Sequence, residues 1–431
     1  MKITKLLSSL FFTGVVAFGA TGCSNNELTL EEANKKIDKA AEKTQQKLKE
    51  EFNKDMFHFD LFLDFSYKMD VSVAQGLINK DNETGKVVSE ELQKQNSMMS
   101  ASFGAEFFGN FDSDYYKNLD TKEASDNKTA FYGKAEMSAT LKATGVENLE
   151  KNEKHKLEFD YRQNSLRGVS DETEKENIVL PEDLDTTVGT YFNAILESLN
   201  APKEEEEKVE MSVEEIILSL AYSTNDDDLI AMVDYLVETY DFENLTTEDI
   251  VDIATHLIGE ETFTTPTMKA YLVESLNDIK EINDDKIIEA STKNSKKYNY
   301  IIYSLNYKEL KKYINAVVKV FKDNSASLTG NEKVIVTTMI TYLEEGLKTL
   351  LPENVKLSVG LGMKKESIMA LSFDFGIEGF AQVSEQPNPI NPSQYYHSST
   401  TINELSFSLD LGYDFANEAY TVPTLDAYFA Q

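Results

Sequence analysis

The chain has one cysteine, no tryptophan and only two arginines, Arg162 and Arg167. A lone thiol forms no intrachain disulfide, so stability has to come from a packed core. Apart from Cys23 there is no thiol for nucleophilic catalysis. The HExxH, GxSxG, SxxK and phosphate-loop patterns are all missing. None of the 75 acidic residues stands out as half of a catalytic carboxylate pair. The four histidines, His58, His155, His256 and His397, never fall at metal-ligand spacing on one element. The acidic run from Asn225 to Asp228 lacks the glycine and spacing of a calcium loop, and it suits the start of a helix. The expectation is therefore a protein that is not an enzyme and holds no metal or cofactor.

Positive charge is also scarce. Lys and Arg total 42 against 75 Asp and Glu, for a net charge of −33. That excludes nucleic acid as a partner, because it needs a basic face. It also disfavours attraction to anionic lipid headgroups by charge alone.

What is present begins at the N-terminus. Lys2 and Lys5 precede a short apolar run over residues 6–20, which ends in Ala20-Thr21-Gly22-Cys23. The run is shorter than the roughly 20 residues a membrane span needs, and it suits a signal peptide over 1–22. Small residues leading into Cys23 resemble the lipobox of bacterial lipoproteins. The resemblance implies acylation of Cys23 and a chain tethered to the extracytoplasmic face of the cell membrane.

Beyond Cys23, Thr29-Leu30-Glu31-Glu32 forms a capping box for one long helix to about residue 54. Strict alternation follows. Every odd position from Phe57 to Val73 is apolar, and every even one except Phe62 is polar. The same period of two recurs around Phe103, Met137, Phe159, Leu357, Phe373 and Phe407. Such alternation means strands with one buried face and one polar face, as in an antiparallel sheet. Helical signals occupy about 181–351, with caps at Ser212 and Thr246, a stripe from Leu310 to Phe321 and one β-like segment at 298–305. Three of the eight prolines fall in 384–399, which predicts an irregular loop there.

The order helix, strands, helices, strands predicts an α+β fold. The expected architecture is a large curved antiparallel sheet of eight or nine strands, half-barrel-like. An N-terminal helix and the central helical block would pack on its concave face. The expected layout is a lipidated N-terminus and helix over 23–56 and one domain over 57–431. The helix, the long alternating strands, the inserted helices and the lipobox together resemble the LolA-like and LppX-like half-barrel carriers of bacterial envelopes. That likeness implies binding of an apolar ligand, a lipid or lipoprotein, in a cavity between sheet and helices. Phe59, Leu61, Phe103, Phe373, Phe407 and Leu409 are the candidate lining residues. The alternative is a structural or interaction lipoprotein with a solid core and an envelope protein partner. Its contact would be the loop bearing Tyr395, Tyr396 and His397.

Overall fold

The computed structural model describes residues 27–170 apart from 82–83, 146–147 and 163–164. It further describes 175–178, 184–201, 218, 222, 227–258 apart from 243, and 263–429 apart from 296. The expected signal peptide, Cys23 and the expected cap at Ser212 lie outside the described residues. The chain divides into two compact units. One comprises Met1–Ala201, Ile287–Tyr307 and Thr349–Gln431, and the other Pro202–Lys286 and Lys308–Lys348.

The first unit is an open, curved, twelve-stranded antiparallel sheet. In chain order its strands are β1 (Glu27–Leu28), β2 (Met56–Lys80), β3 (Val87–Asp112), β4 (Ala130–Thr144), β5 (Leu149–Arg162), β6 (Ser165–Ser170), β7 (Lys175–Ile178), β8 (Ile288–Asn294), β9 (Asn299–Leu305), β10 (Asn354–Lys364), β11 (Ser367–Asn388) and β12 (Asn391–Ala416). Across the sheet they run β1-β8-β9-β10-β11-β12-β2-β3-β4-β5-β6-β7. The two β blocks of the sequence are joined where β12 pairs with β2, from Ala416 opposite His58 to Gln394 opposite Asn79. β2 alone is 25 residues long, roughly 80 Å of extended chain.

Helix α1 (Leu30–Asn53) starts at the expected capping box: the amide of Glu32 donates to Thr29 Oγ1 at 3.2 Å, and the amide of Thr29 donates to Glu32 Oε2 at 3.1 Å. Its Ala33 and Ile37 are buried against Ala290, Ile301, Tyr303 and Leu361. Further along, Thr44 Oγ1 accepts from the amide of Ile368 at 2.7 Å. The helix therefore covers one part of the apolar face and docks on the turn between β10 and β11.

The span 384–399 is not an irregular loop. β11 and β12 form one long hairpin that turns at residues 389–390. Pairing of β11 with β10 ends at Glu378, so the rest of β11 is bonded on one side only. An edge of this kind tolerates Pro387, and Pro389 sits in the turn, where no ladder donor is required.

The helical block likewise differs from expectation. Helix α3 (Leu184–Asn200) belongs to the sheet unit, as does the short α2 (Ser113–Lys117). Helices α4 (Asp227–Thr239), α5 (Thr247–Ile258), α6 (Pro266–Lys280), α7 (Tyr307–Asn324) and α8 (Gly330–Leu350) build the second unit. Its core is Met268, Tyr271, Val318, Leu328, Val336 and Ile340. These apolar stripes satisfy one another, so the block forms a compact unit of its own and the single domain expected over 57–431 becomes two. The β-like segment near 298–305 is the second strand of a hairpin, β8 and β9.

Candidate functional site

Residues opposite one another in an antiparallel register share a face. In the sheet this collects the odd positions of β2 with Phe107, Ala105, Phe103, Ala101 and Met99 of β3. Ala135, Met137, Ala139 and Leu141 of β4 extend the rows on one side. Leu405, Phe407, Leu409 and Leu411 of β12, then Ile377, Phe375, Phe373 and Leu371 of β11, extend them on the other. On these five strands no charged side chain interrupts the band, which runs along β2 from Leu61 to Val71 for roughly 33 Å.

One end of this face is filled. Phe57, Tyr115, Tyr116 and Phe192 are buried together, with Phe52, Phe59, Phe111 and Phe415 packed around them. Phe57 stacks on Phe111 at 4.9 Å and on Phe52 at 5.0 Å. Asp185 of α3 accepts from Tyr115 Oη at 2.8 Å and Tyr116 Oη at 3.3 Å, which ties α3 to α2. Burial raises the Tyr116 hydroxyl well above the ordinary tyrosine range, so it acts as a neutral donor.

Along the rest of the band the side chains are less completely covered. Leu61, Leu63, Phe65, Tyr67, Phe103, Phe373, Phe407 and Leu409 all keep partial exposure, and Met137 is 50% exposed. The aromatic rings interlock within the sheet surface: Phe407 meets Phe65 edge-on at 5.2 Å and Phe373 at 5.7 Å. Of the six candidate lining residues, five lie on this open band. Phe373, Leu409 and Phe103 share one cross-strand row with Phe65. The sixth, Phe59, belongs to the filled end. Phe65, Tyr67 and Met137 are equally placed and were legible from the same alternation.

The band stops at a charged margin. Beyond β4 the Ala135 row continues to the exposed Leu157, and the next residues in the other three rows are His155, Glu153 and Lys151 of β5, all exposed. Strand β6 pairs only with Leu157–Arg162, so this half of β5 is an edge, and its charges discourage strand addition.

The three candidate partner residues do not form one surface. Tyr396 shares the apolar face through its pairing with Leu77 and is 50% exposed. Tyr395 and His397 point to the reverse face. Lys80 Nζ lies 4.9 Å from the Tyr395 ring centroid, and His397 Nδ1 is 3.3 Å from Glu385 Oε1.

On the reverse face the C-terminal segment straps the sheet. Val422 and Leu425 are buried against Tyr132, with Phe108 and Val169 alongside. Both arginines of the chain act here. Arg167 forms a forked pair with the fully buried Asp160, at 2.9 and 2.5 Å, and reaches Asp426 at 2.6 Å. Arg162 donates to the carbonyls of Val422 and Pro423. Sequence reading passed over both arginines because each looks like an ordinary strand residue.

The second unit carries an open groove of about 650 Å³ between α5 and α6, spanned by the Lys269–Asp252 ion pair at 2.6 Å. Among the described residues no helix is long and apolar enough to cross a membrane. No family model matches the chain, and no curated protein is similar to it.

Proposed function

We propose that this chain is a non-enzymatic extracytoplasmic lipoprotein, tethered to the cell membrane through Cys23, that binds an apolar ligand along the open band of its sheet. The ligand class is a lipid or the acyl part of a lipoprotein. One observation carries the reading: an aromatic-rich apolar band on five adjacent strands, free of charged side chains, most of whose side chains keep partial exposure. Contiguous apolar surface of that extent marks a binding surface. The charge of −33 limits non-specific adhesion to anionic membranes, which leaves apolar contact as the source of affinity.

The test is native mass spectrometry and lipid analysis of the mature protein purified from membranes. A stoichiometric apolar species, lost in a folded Phe103→Asp/Phe407→Asp variant, is the expected result. A clean unliganded mass would sink this reading. It would leave the alternative of an interaction lipoprotein, for which the one-sided edges of β5 and β11 are the candidate contacts.

A further inference from the structure

The apolar band has a polar continuation, and its chemistry is selective. Past Val71 the rows of the same face change character. Gln75, Gln93 and Gln95 of β2 and β3 stand in line with Gln382 of β11 and with Ser398 and Thr400 of β12. The next row adds Tyr396, half exposed, beside Leu77. Through these rows Glu91 is the only charged side chain. That is unusual in a chain in which 27% of residues are charged. The reverse face of the same strands is ordinary by comparison, with Lys80, Lys94, Glu90 and Glu385.

A register change keeps this polar surface on the apolar side. Asn403 is extra in β12, so Leu405 faces Met69 and Ile402 faces Val71. In β11 the matching step is Gly379 at φ 67°, a left-handed conformation that favours glycine. Without the step the two outer strands would present Ala381 and Thr401, and then Glu385 and His397, on this side.

We infer that the sheet binds an amphiphile whose head is uncharged and rich in hydroxyls, a neutral glycolipid, with its acyl chains on the apolar band and its sugar on the glutamine rows. This rests on the apolar-ligand reading above. Amides and hydroxyls both donate and accept, which matches sugar hydroxyls, and the exposed Tyr396 ring offers a stacking plane beside them. A phosphate head would find no cation here and one carboxylate, Glu91, so the surface selects against it.

The experiment offers the full-length protein, in detergent micelles, equal amounts of galactosyl diacylglycerol, phosphatidylglycerol and phosphatidylcholine with identical acyl chains. Native mass spectrometry reads the adducts. At least a tenfold preference for the galactosyl lipid over phosphatidylglycerol is expected. Gln75→Lys/Gln93→Lys, at exposed strand positions, should move the preference towards phosphatidylglycerol while circular dichroism stays unchanged. Equal binding of all three lipids would overturn the head assignment and leave apolar binding intact. Displacement of the lipid by free galactose alone would overturn the glycolipid in favour of a sugar site. Absence of every adduct would remove both readings.

Discussion

Two stretches of the same strands carry the same alternation and end up in opposite environments. At one end Phe57 is buried under α2 and α3, stacked on the partly buried Phe111, with the buried Phe192 packed against both. Eight residues along β2, Phe65 presents a similar ring on the same face and stays partly exposed beside Phe407. The filled end is closed on both sides, since the C-terminal strap covers Phe108 and Tyr132 behind it. The open band is less completely covered, its Phe65, Phe103 and Phe407 keeping partial exposure, and behind it Asp64, Asp374 and Asp410 crowd the reverse face. Period-two patterning therefore identifies the apolar face of a strand and is silent on what covers it. Covered stretches hold the fold together, and the more exposed ones are where the proposed ligand would lie.

The largest expected contrast lies in matched truncations. Phe57→Ala removes a ring from a filled cluster and should lower stability by about 3–5 kcal/mol. Phe65→Ala removes one from the open band and should cost about 1 kcal/mol. Urea denaturation followed by circular dichroism separates them. Ligand adducts should show the reverse order, being lost in Phe65→Ala at a stability that keeps the chain folded. Equal destabilisation by the two would mean that the band is covered as well as the filled end is.

The strap is the next largest. Arg167→Met leaves the Asp160 carboxylate buried without its forked partner, and breaking a buried pair in this way costs about 3–5 kcal/mol. The loss should be accompanied by faster proteolysis after residue 417 and by faster amide exchange at Leu425, whose N–H donates to Asp160 Oδ2 at 3.1 Å. Protection unchanged at Leu425 would show that the tail is held by Val422 and Leu425 alone.

Much of this fold was legible in advance. The capping box of α1, the α+β class and the single antiparallel sheet that unites the two β blocks follow from Thr29 and Glu32 and from the alternation around Phe65, Phe103, Phe373 and Phe407. Three features were not. Prolines 387, 389 and 392 read as a loop, because a proline signals lost donors and the sequence does not show that this part of β11 is bonded on one side only. The separate helical unit was hidden because an amphipathic stripe such as Leu310–Phe321 packs equally well on a sheet or on other helices. Glutamine rows carry no hydropathy signal, and Gln75 and Gln382 come together only through a register step at Asn403.

That step gives a smaller prediction. At Gly379 an added Cβ would meet the Glu353 side chain and would hold a left-handed backbone, which costs about 1–2 kcal/mol for a residue with Cβ. Gly379→Ala should therefore destabilise by about that amount. If the step positions the glutamine rows, it should also weaken lipid-head selectivity, while the apolar band still takes up acyl chains. A variant that loses stability and keeps full selectivity would separate the two roles of the glycine.

The smallest effect tests the reverse face of the open band. Burial, reinforced by the neighbouring Asp374, raises the Asp410 carboxyl above the ordinary carboxylate range, with Asp64 adding to the rise and Lys293 opposing it. The folded chain thus holds a proton that the unfolded chain releases at lower pH. The contribution of this group is favourable under acid conditions and fades as pH rises through the folded value. Asp410→Asn keeps the shape and removes the charge. It should raise the urea midpoint at pH 7, with the gain shrinking towards zero as the buffer is taken below the ordinary carboxylate range. Asp374 already accepts a hydrogen bond from Ser358 Oγ at 2.9 Å, so Asp374→Asn should gain less. A pH-independent gain in Asp410→Asn would mean that repacking rather than charge relief is responsible, and that the open band is backed by an ordinary polar face.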